Sequence, residues 1–145
     1  MQKGRILVVD DNKGIQSALE LLLAPVCKSV NCIDSPNRLV PILEAGNIDL
    51  ILLDMNFSAG VNSGNEGLYW LKRIKEINAD IPVILITAYG DVELAVKALK
   101  EGATDFILKP WDNQKLLATV EAGFQLRWPK LAATQLTRRE EFGKK

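Results

Sequence analysis

The sequence predicts an α/β fold: a five-stranded, doubly wound parallel sheet with helices packed on both faces. Three observations predict it. Short, mostly aliphatic runs of strand length recur at residues 6–9, 50–53, 83–86 and 106–108, and strands buried on both faces read as such runs rather than as alternating ones. Amphipathic helical patterns lie between them, so that with one weaker run the order is strand then helix five times, joined by right-handed crossovers. Finally, each strong run gives way to a polar residue at its carboxyl end: Asp10-Asp11, Asp54, Thr87 and Lys109.

The elements follow in order. Ile6-Leu7-Val8-Val9 is the first strand. Ile15, Ala18, Leu19 and Leu22 recur at i, i+3, i+4 and i+7, the apolar stripe of a helix. The weaker run 30–33 suits an edge strand. Ser35-Pro36 pairs an N-cap with proline at the first helical position, and Pro41 inside the pattern should kink or shorten that helix. After the strand at 50–53, Leu68, Leu71, Ile74 and Ile77 at threefold spacing mark a third helix. Past the strand at 83–86, Asp91 caps a helix that Gly102 closes. Past 106–108, Asp112 caps a last helix carrying Leu116, Val120 and Phe124. This places one domain over residues 1–128. Residues 129–145 lack comparable patterning and read as a linker.

Composition narrows the chemistry. The chain has 145 residues, 48% hydrophobic and 25% charged, with 18 basic against 18 acidic side chains and no histidine. Such a composition belongs to a globular domain, and zero net charge offers no electrostatic case for nucleic-acid or membrane-surface binding. Without histidine there is no Ser-His or Cys-His pair and no imidazole metal ligand. Cys27 and Cys32 form no CxxC, so reduced, packed thiols are expected. No uninterrupted apolar run exceeds four residues, which excludes a signal-peptide core or a membrane span in what is expected to be a cytoplasmic protein.

In an open α/β sheet, ligands bind outside the carboxyl ends of the strands. Each polar residue there has an ordinary use alone, as a cap or a turn residue, but five at one end of successive strands define a pocket. Three carboxylates together repel one another and require a cation, and all-oxygen ligation suits Mg2+. A carboxylate beside that ion is a nucleophile toward phosphorus. Lys109 supplies a point charge and Thr87 a hydroxyl for a transferring phosphoryl group, whose chemistry depends on positioning and electrostatics.

The residues Ile6-Leu7-Val8-Val9-Asp10-Asp11-Asn12, Leu52-Leu53-Asp54, Ile86-Thr87-Ala88 and Leu108-Lys109-Pro110 resemble the receiver domain of bacterial two-component response regulators over about residues 4–127. The resemblance implies a flavodoxin-like (βα)5 sandwich with strand order 2-1-3-4-5. It implies Asp54 as phosphoacceptor, with Mg2+ held by Asp10, Asp11, Asp54 and the backbone carbonyl of Asn56. Lys109, through a cis bond to Pro110, contacts the phosphoryl oxygens, Thr87 moves toward them, and Phe106 occupies the aromatic switch position. Small Ala88 leaves access for the phosphodonor. The implied partner is a sensor histidine kinase, and the implied dimer face is helix 4, strand 5 and helix 5. The resemblance further implies that the domain itself touches neither nucleic acid nor membrane and is a signalling switch rather than an enzyme.

The stretches Thr87-Ala88-Tyr89-Gly90-Asp91 and Gly102-Ala103-Thr104-Asp105-Phe106 are similar to NtrC-like receivers, which precede a sigma-54-activating ATPase domain. Neither a GxxxxGK[ST] loop nor a recognition helix stands in this chain. A fragment of a longer regulator is therefore expected, with a stand-alone receiver as the alternative. Asp54 and Gly67 are thirteen positions apart, longer than most receivers allow. The Asn-, Ser- and Gly-rich segment 56–65 is either a tolerated insertion or a shield that slows dephosphorylation. Trp111 and Trp128 either pack internally or mark a contact, and Tyr89 either screens the phosphoryl group from water or lies on the surface. A haloacid-dehalogenase-type phosphatase shares the parts but needs Asp-x-Asp after its first strand, where this chain reads Asp10-Asp11-Asn12. A nucleotide-binding domain lacks its glycine fingerprint, and a phosphate-blind pseudo-receiver would not keep all five pocket residues.

Overall fold

The computed structural model describes residues 4–55, 65–88 and 91–126. In chain order these form β1 (Arg5–Val9), α1 (Lys13–Leu23), β2 (Ser29–Ile33), a 3-10 turn (Pro36–Arg38), α2 (Leu39–Glu44) and β3 (Leu50–Asp54). Then come α3 (Asn65–Ile77), β4 (Val83–Ala88), α4 (Val92–Lys100), β5 (Asp105–Lys109) and a helix, α5, over 113–126. All strand pairings are parallel and the sheet order is β2-β1-β3-β4-β5. This is the doubly wound α/β architecture expected, with β2 at an edge.

The two faces of the sheet divide the core by strand parity. Ile6, Val8, Leu50, Leu52, Ile84, Ile86 and Ile107 pack with Leu19 and Leu23 of α1 and with Leu116, Val120 and Phe124 of α5. Leu7, Val9, Ile51, Leu53, Val83 and Leu85 pack instead with Leu39, Leu43, Leu68, Leu71, Ile74 and Ala98 of α2, α3 and α4. Successive side chains of a strand point to opposite faces, so an unbroken aliphatic run feeds both cores at once.

Several local expectations are corrected. The buried stripe of α1 runs through Gln16, Leu19 and Leu23, and Ala18 is exposed. Ser35 caps the 3-10 turn by accepting from Asn37 N, and α2 is only six residues long. Pro41 falls in the first turn of α2, where a missing N–H forfeits no intrahelical bond. Asp91 occupies the N-cap position of α4 without a side-chain capping bond. The β5 strand is the second edge of the sheet and only Ile107 of it is fully buried. Three apolar residues in a row therefore did not mark a two-sided core strand there.

Two glycines decide local geometry. Gly102, at φ +112°, ends α4 in a Schellman arrangement: its N–H donates to Leu99 O at 3.2 Å and that of Ala103 to Ala98 O at 3.0 Å. Gly67 lets α3 settle onto the residue after Asp54, since a Cβ there would meet Met55 Sδ at 2.7 Å. Met55 is fully buried, so α3 clamps the carboxyl end of β3. Trp111 is half-buried and packs against the α1/α5 core, which favours its internal reading. Tyr89 and Trp128 lie outside the described residues.

Candidate functional site

The parallel register brings the carboxyl ends of β1, β3, β4 and β5 to one rim. Asp10 directly follows β1, Asp54 closes β3, and Thr87 and Lys109 sit near the ends of β4 and β5. Leu53 is paired with Val9, Asp54 with Ile86, Thr87 with Leu108 and Ala88 with Lys109.

Asp10 is fully buried, with its N–H donating to Ile33 O at 3.1 Å. Its Oδ1 accepts from Asn12 N at 2.9 Å, and Asn12 also caps α1 by accepting from Ile15 N. Asp10 Oδ2 is buried without a hydrogen bond among the described residues, though Lys109 Nζ lies 3.5 Å away. Burial in a low dielectric pushes the Asp10 carboxyl above its ordinary range, against the opposing pull of the Asn12 N–H and the Lys109 charge.

Asp54 is also buried, and its Oδ1 receives Lys109 Nζ at 3.1 Å. Lys109 thus bridges two buried carboxylates with one charge. Asp11 is exposed beside them, and carboxylate oxygens of Asp10, Asp11 and Asp54 lie within 4.8 Å of one another. Three acids against one ammonium leave net negative charge at the rim. Asp10 Oδ2, without a hydrogen bond among the described residues, and the all-oxygen donor set are what a hard cation would take as ligands. The residues fit Mg2+.

Thr87 is fully buried and its Oγ1 has no hydrogen-bond partner among the described residues. An orphaned buried hydroxyl costs stability. Phe106 pairs with Leu85, two residues before Thr87, and so shares the α3/α4 face with it. Its ring is half-buried against that core. The Lys109–Pro110 peptide is cis, as the resemblance implies.

The structure thus brings together Asp10, Asp11, Asp54 and Lys109, with Thr87 and Phe106 on adjoining strands. Asn56 and segment 56–64 lie outside the described residues. The cysteines remain free thiols, and burial pushes Cys27 up to about 11 and Cys32 to about 12, so both stay protonated and unreactive at neutral pH.

Sequence reasoning overlooked Gln16, buried on α1 with its side-chain amide donating to the backbone carbonyl of Asp10. The available signal was a polar residue inside an apolar stripe, between Ile15 and Leu19.

Comparison with known proteins agrees with this geometry. Residues 6–121 match the family model described as the response regulator receiver domain. The chain is 35% identical over 121 residues to the DNA-binding transcriptional regulator NtrC of Salmonella typhimurium, covering 83% of this chain and 25% of that protein. It is 31% identical over 127 residues to the transcriptional regulatory protein FixJ of Bradyrhizobium diazoefficiens, covering 88% of this chain and 60% of that one. The chain therefore spans about a quarter of the length of one relative and 60% of the other. Among solved structures, the N-terminal signal receiver domain of a Bacteroides fragilis two-component response regulator superposes with a TM-score of 0.77 at 48% identity, covering 85% of this chain and 98% of that one. NtrX from Brucella abortus in complex with ADP gives a TM-score of 0.85 at 26% identity, covering 97% of this chain and 30% of that one.

Proposed function

We propose, from the premise that this chain belongs to the response regulator receiver domain family, that it takes a phosphoryl group onto Asp54 from the phosphohistidine of a sensor histidine kinase and converts it into a change of surface. The carrying observation is the buried Asp54 carboxylate, held 3.1 Å from Lys109 Nζ and within 4.8 Å of Asp10 and Asp11. An Asp54 oxygen attacks phosphorus, the P–N bond breaks with its electron pair going to the imidazole, and an acyl phosphate forms. Lys109 stays with the phosphoryl oxygens as their countercharge. Asp10, Asp11 and Asp54, with the carbonyl of Asn56, would hold Mg2+, which when bound supplies the positive charge that offsets the crowding of carboxylates and phosphoryl oxygens.

The hydroxyl of Thr87, without a hydrogen-bond partner among the described residues, is a donor for the new phosphoryl oxygens. Its movement opens space on the α3/α4 face that Phe106 can turn into, shifting the population of surfaces around α4 and β5. A homodimer through α4, β5 and α5 is the readout this favours. The likeness to NtrC supports a sigma-54-dependent transcription activator as the whole protein, with residues 1–128 as receiver and 129–145 as linker to the effector; a stand-alone receiver is the alternative. Among the described residues no helix is long and apolar enough to cross a membrane, and the switch is proposed to work in the cytoplasm.

The test is incubation with Mg2+ and acetyl phosphate, followed by intact mass. One phosphoryl group should be added, and none in Asp54→Asn or without metal. Label that persists in Asp54→Asn would overturn the assignment.

A further inference from the structure

The end of β1 carries a backbone problem that the known pocket residues do not solve. In an extended strand the N–H and C=O of one residue point toward the same neighbouring strand. Asp10 N finds Ile33 O, but β2 stops at Ile33, so the ladder offers no donor to the Asp10 carbonyl. Asp10 is fully buried, and an unpaired carbonyl there would be costly. Gln16, one turn into α1 and itself buried, donates its side-chain amide to that oxygen.

This bond does more than satisfy a carbonyl. The Asp10 C=O and the Asp11 N–H belong to one rigid peptide plane. Holding its oxygen fixes the rotation of the plane, and with it the directions in which the Asp10 and Asp11 side chains leave the backbone. Asn12 N and the α1 cap pin the following residues, so Gln16 completes the restraint from the side of the helix. An apolar residue would fit the Ile15–Leu19 stripe better by transfer energy alone, so a function for the amide has to be sought at its hydrogen bond.

We infer that Gln16 is a positioning residue that aims the Asp10 and Asp11 carboxylates at the cation. This rests on the phosphoacceptor reading above. Outer partners that orient metal ligands are typically worth about 10- to 100-fold in metal affinity, and loss of the amide should weaken Mg2+ binding by about tenfold or more on that scale.

The test compares the intact chain with Gln16→Met, which keeps length and volume but has no donor, and with Gln16→Asn, which keeps the amide but withdraws it by one methylene. Two readouts are taken: calorimetric titration with Mg2+ of the unphosphorylated chain, and the acetyl phosphate rate as a function of Mg2+. Both variants should bind Mg2+ about tenfold or more weakly, while the rate at saturating Mg2+ stays within about twofold of the original. A purely structural role would lower the unfolding midpoint in EDTA and leave the Mg2+ constant unmoved in whichever variant folds, and that result overturns the inference. Failure of the unmodified chain to bind Mg2+ would instead overturn the phosphoacceptor reading and this inference with it.

Discussion

Replacing Lys109 by methionine removes a charge while keeping most of the side chain, and the structure sets both the size and the pH dependence of the outcome. Lys109 Nζ lies 3.1 Å from Asp54 Oδ1 and 3.5 Å from Asp10 Oδ2, and both carboxylates are buried. At an effective dielectric of about 20, each attraction amounts to about 5 kcal/mol, and the mutual repulsion of carboxylate oxygens no more than 4.8 Å apart to roughly 3.5 kcal/mol or more. Without the ammonium the repulsion and the burial cost lose the charge that offset them, and the folded chain escapes by protonating one carboxylate. At pH 7 that escape costs about 4 kcal/mol, taking an ordinary carboxyl near 3.9 and about 1.4 kcal/mol per pH unit. The loss of stability is therefore capped near that value, with about 2–4 kcal/mol expected at neutral pH.

The sign follows from linkage. Losing the cation raises the folded-state carboxyl range, so the variant's deficit grows as pH rises above the ordinary range and shrinks as pH falls. At pH 5 the deficit should be no more than about 1.5 kcal/mol. Added Mg2+ should recover part of it by mass action on the folded state. The assay is urea unfolding of both chains at pH 5 and 7, each in EDTA and in Mg2+. A deficit that is the same at both pH values would refute this reasoning, because it would make Lys109 a packing residue rather than the countercharge of the pair.

Three further outcomes are expected. Thr87→Val removes a buried hydroxyl without a partner among the described residues, so the unphosphorylated chain should gain about 1 kcal/mol while losing any phosphorylation-dependent change in Phe106 environment or in dimerisation; a loss of stability in urea would contradict it. Asp10→Asn should abolish Mg2+ binding in calorimetry. Burial raises the Asp10 carboxyl, so its contribution to stability is present at low pH and declines as pH rises through the raised value. The Asn variant should lack that decline in EDTA, and parallel stability profiles from pH 4 to 7 would count against it. Deleting residues 59–63 should shorten the lifetime of the phosphoryl group if the inserted segment shields it, and an unchanged half-life leaves it a tolerated insertion.

How much was legible in the sequence depended on whether the signal was local. The runs at 6–9, 50–53 and 83–86 announced β1, β3 and β4 because burial on both faces demands apolar side chains at every position, a requirement written into consecutive residues. Asp112 and Gly102 act on backbone groups two or three residues away, so the caps they build are likewise local. The pocket acids, Thr87 and Lys109 could be grouped because one rule, that ligands bind at the carboxyl ends of parallel strands, converts strand order into proximity.

What only tertiary structure decided were matters of contact between distant segments. That only Ile107 of β5 is buried depended on what the other segments pack against it, which the apolar run Phe106-Ile107-Leu108 does not encode. That one ammonium bridges Asp10 and Asp54, and that Asp10 Oδ2 and Thr87 Oγ1 are left without hydrogen bonds among the described residues, follows from how β1, β3, β4 and β5 are staggered. Gln16 belongs with these: in the sequence it interrupts an apolar stripe, and its use depends on β2 stopping too soon to serve the Asp10 carbonyl. Sequence alone determined the elements and the identity of the charged groups, since both follow from residue type and spacing. The balance of charge, burial and hydrogen bonding at the rim was decided by the folded arrangement, because those energies depend on distances and on the exclusion of water.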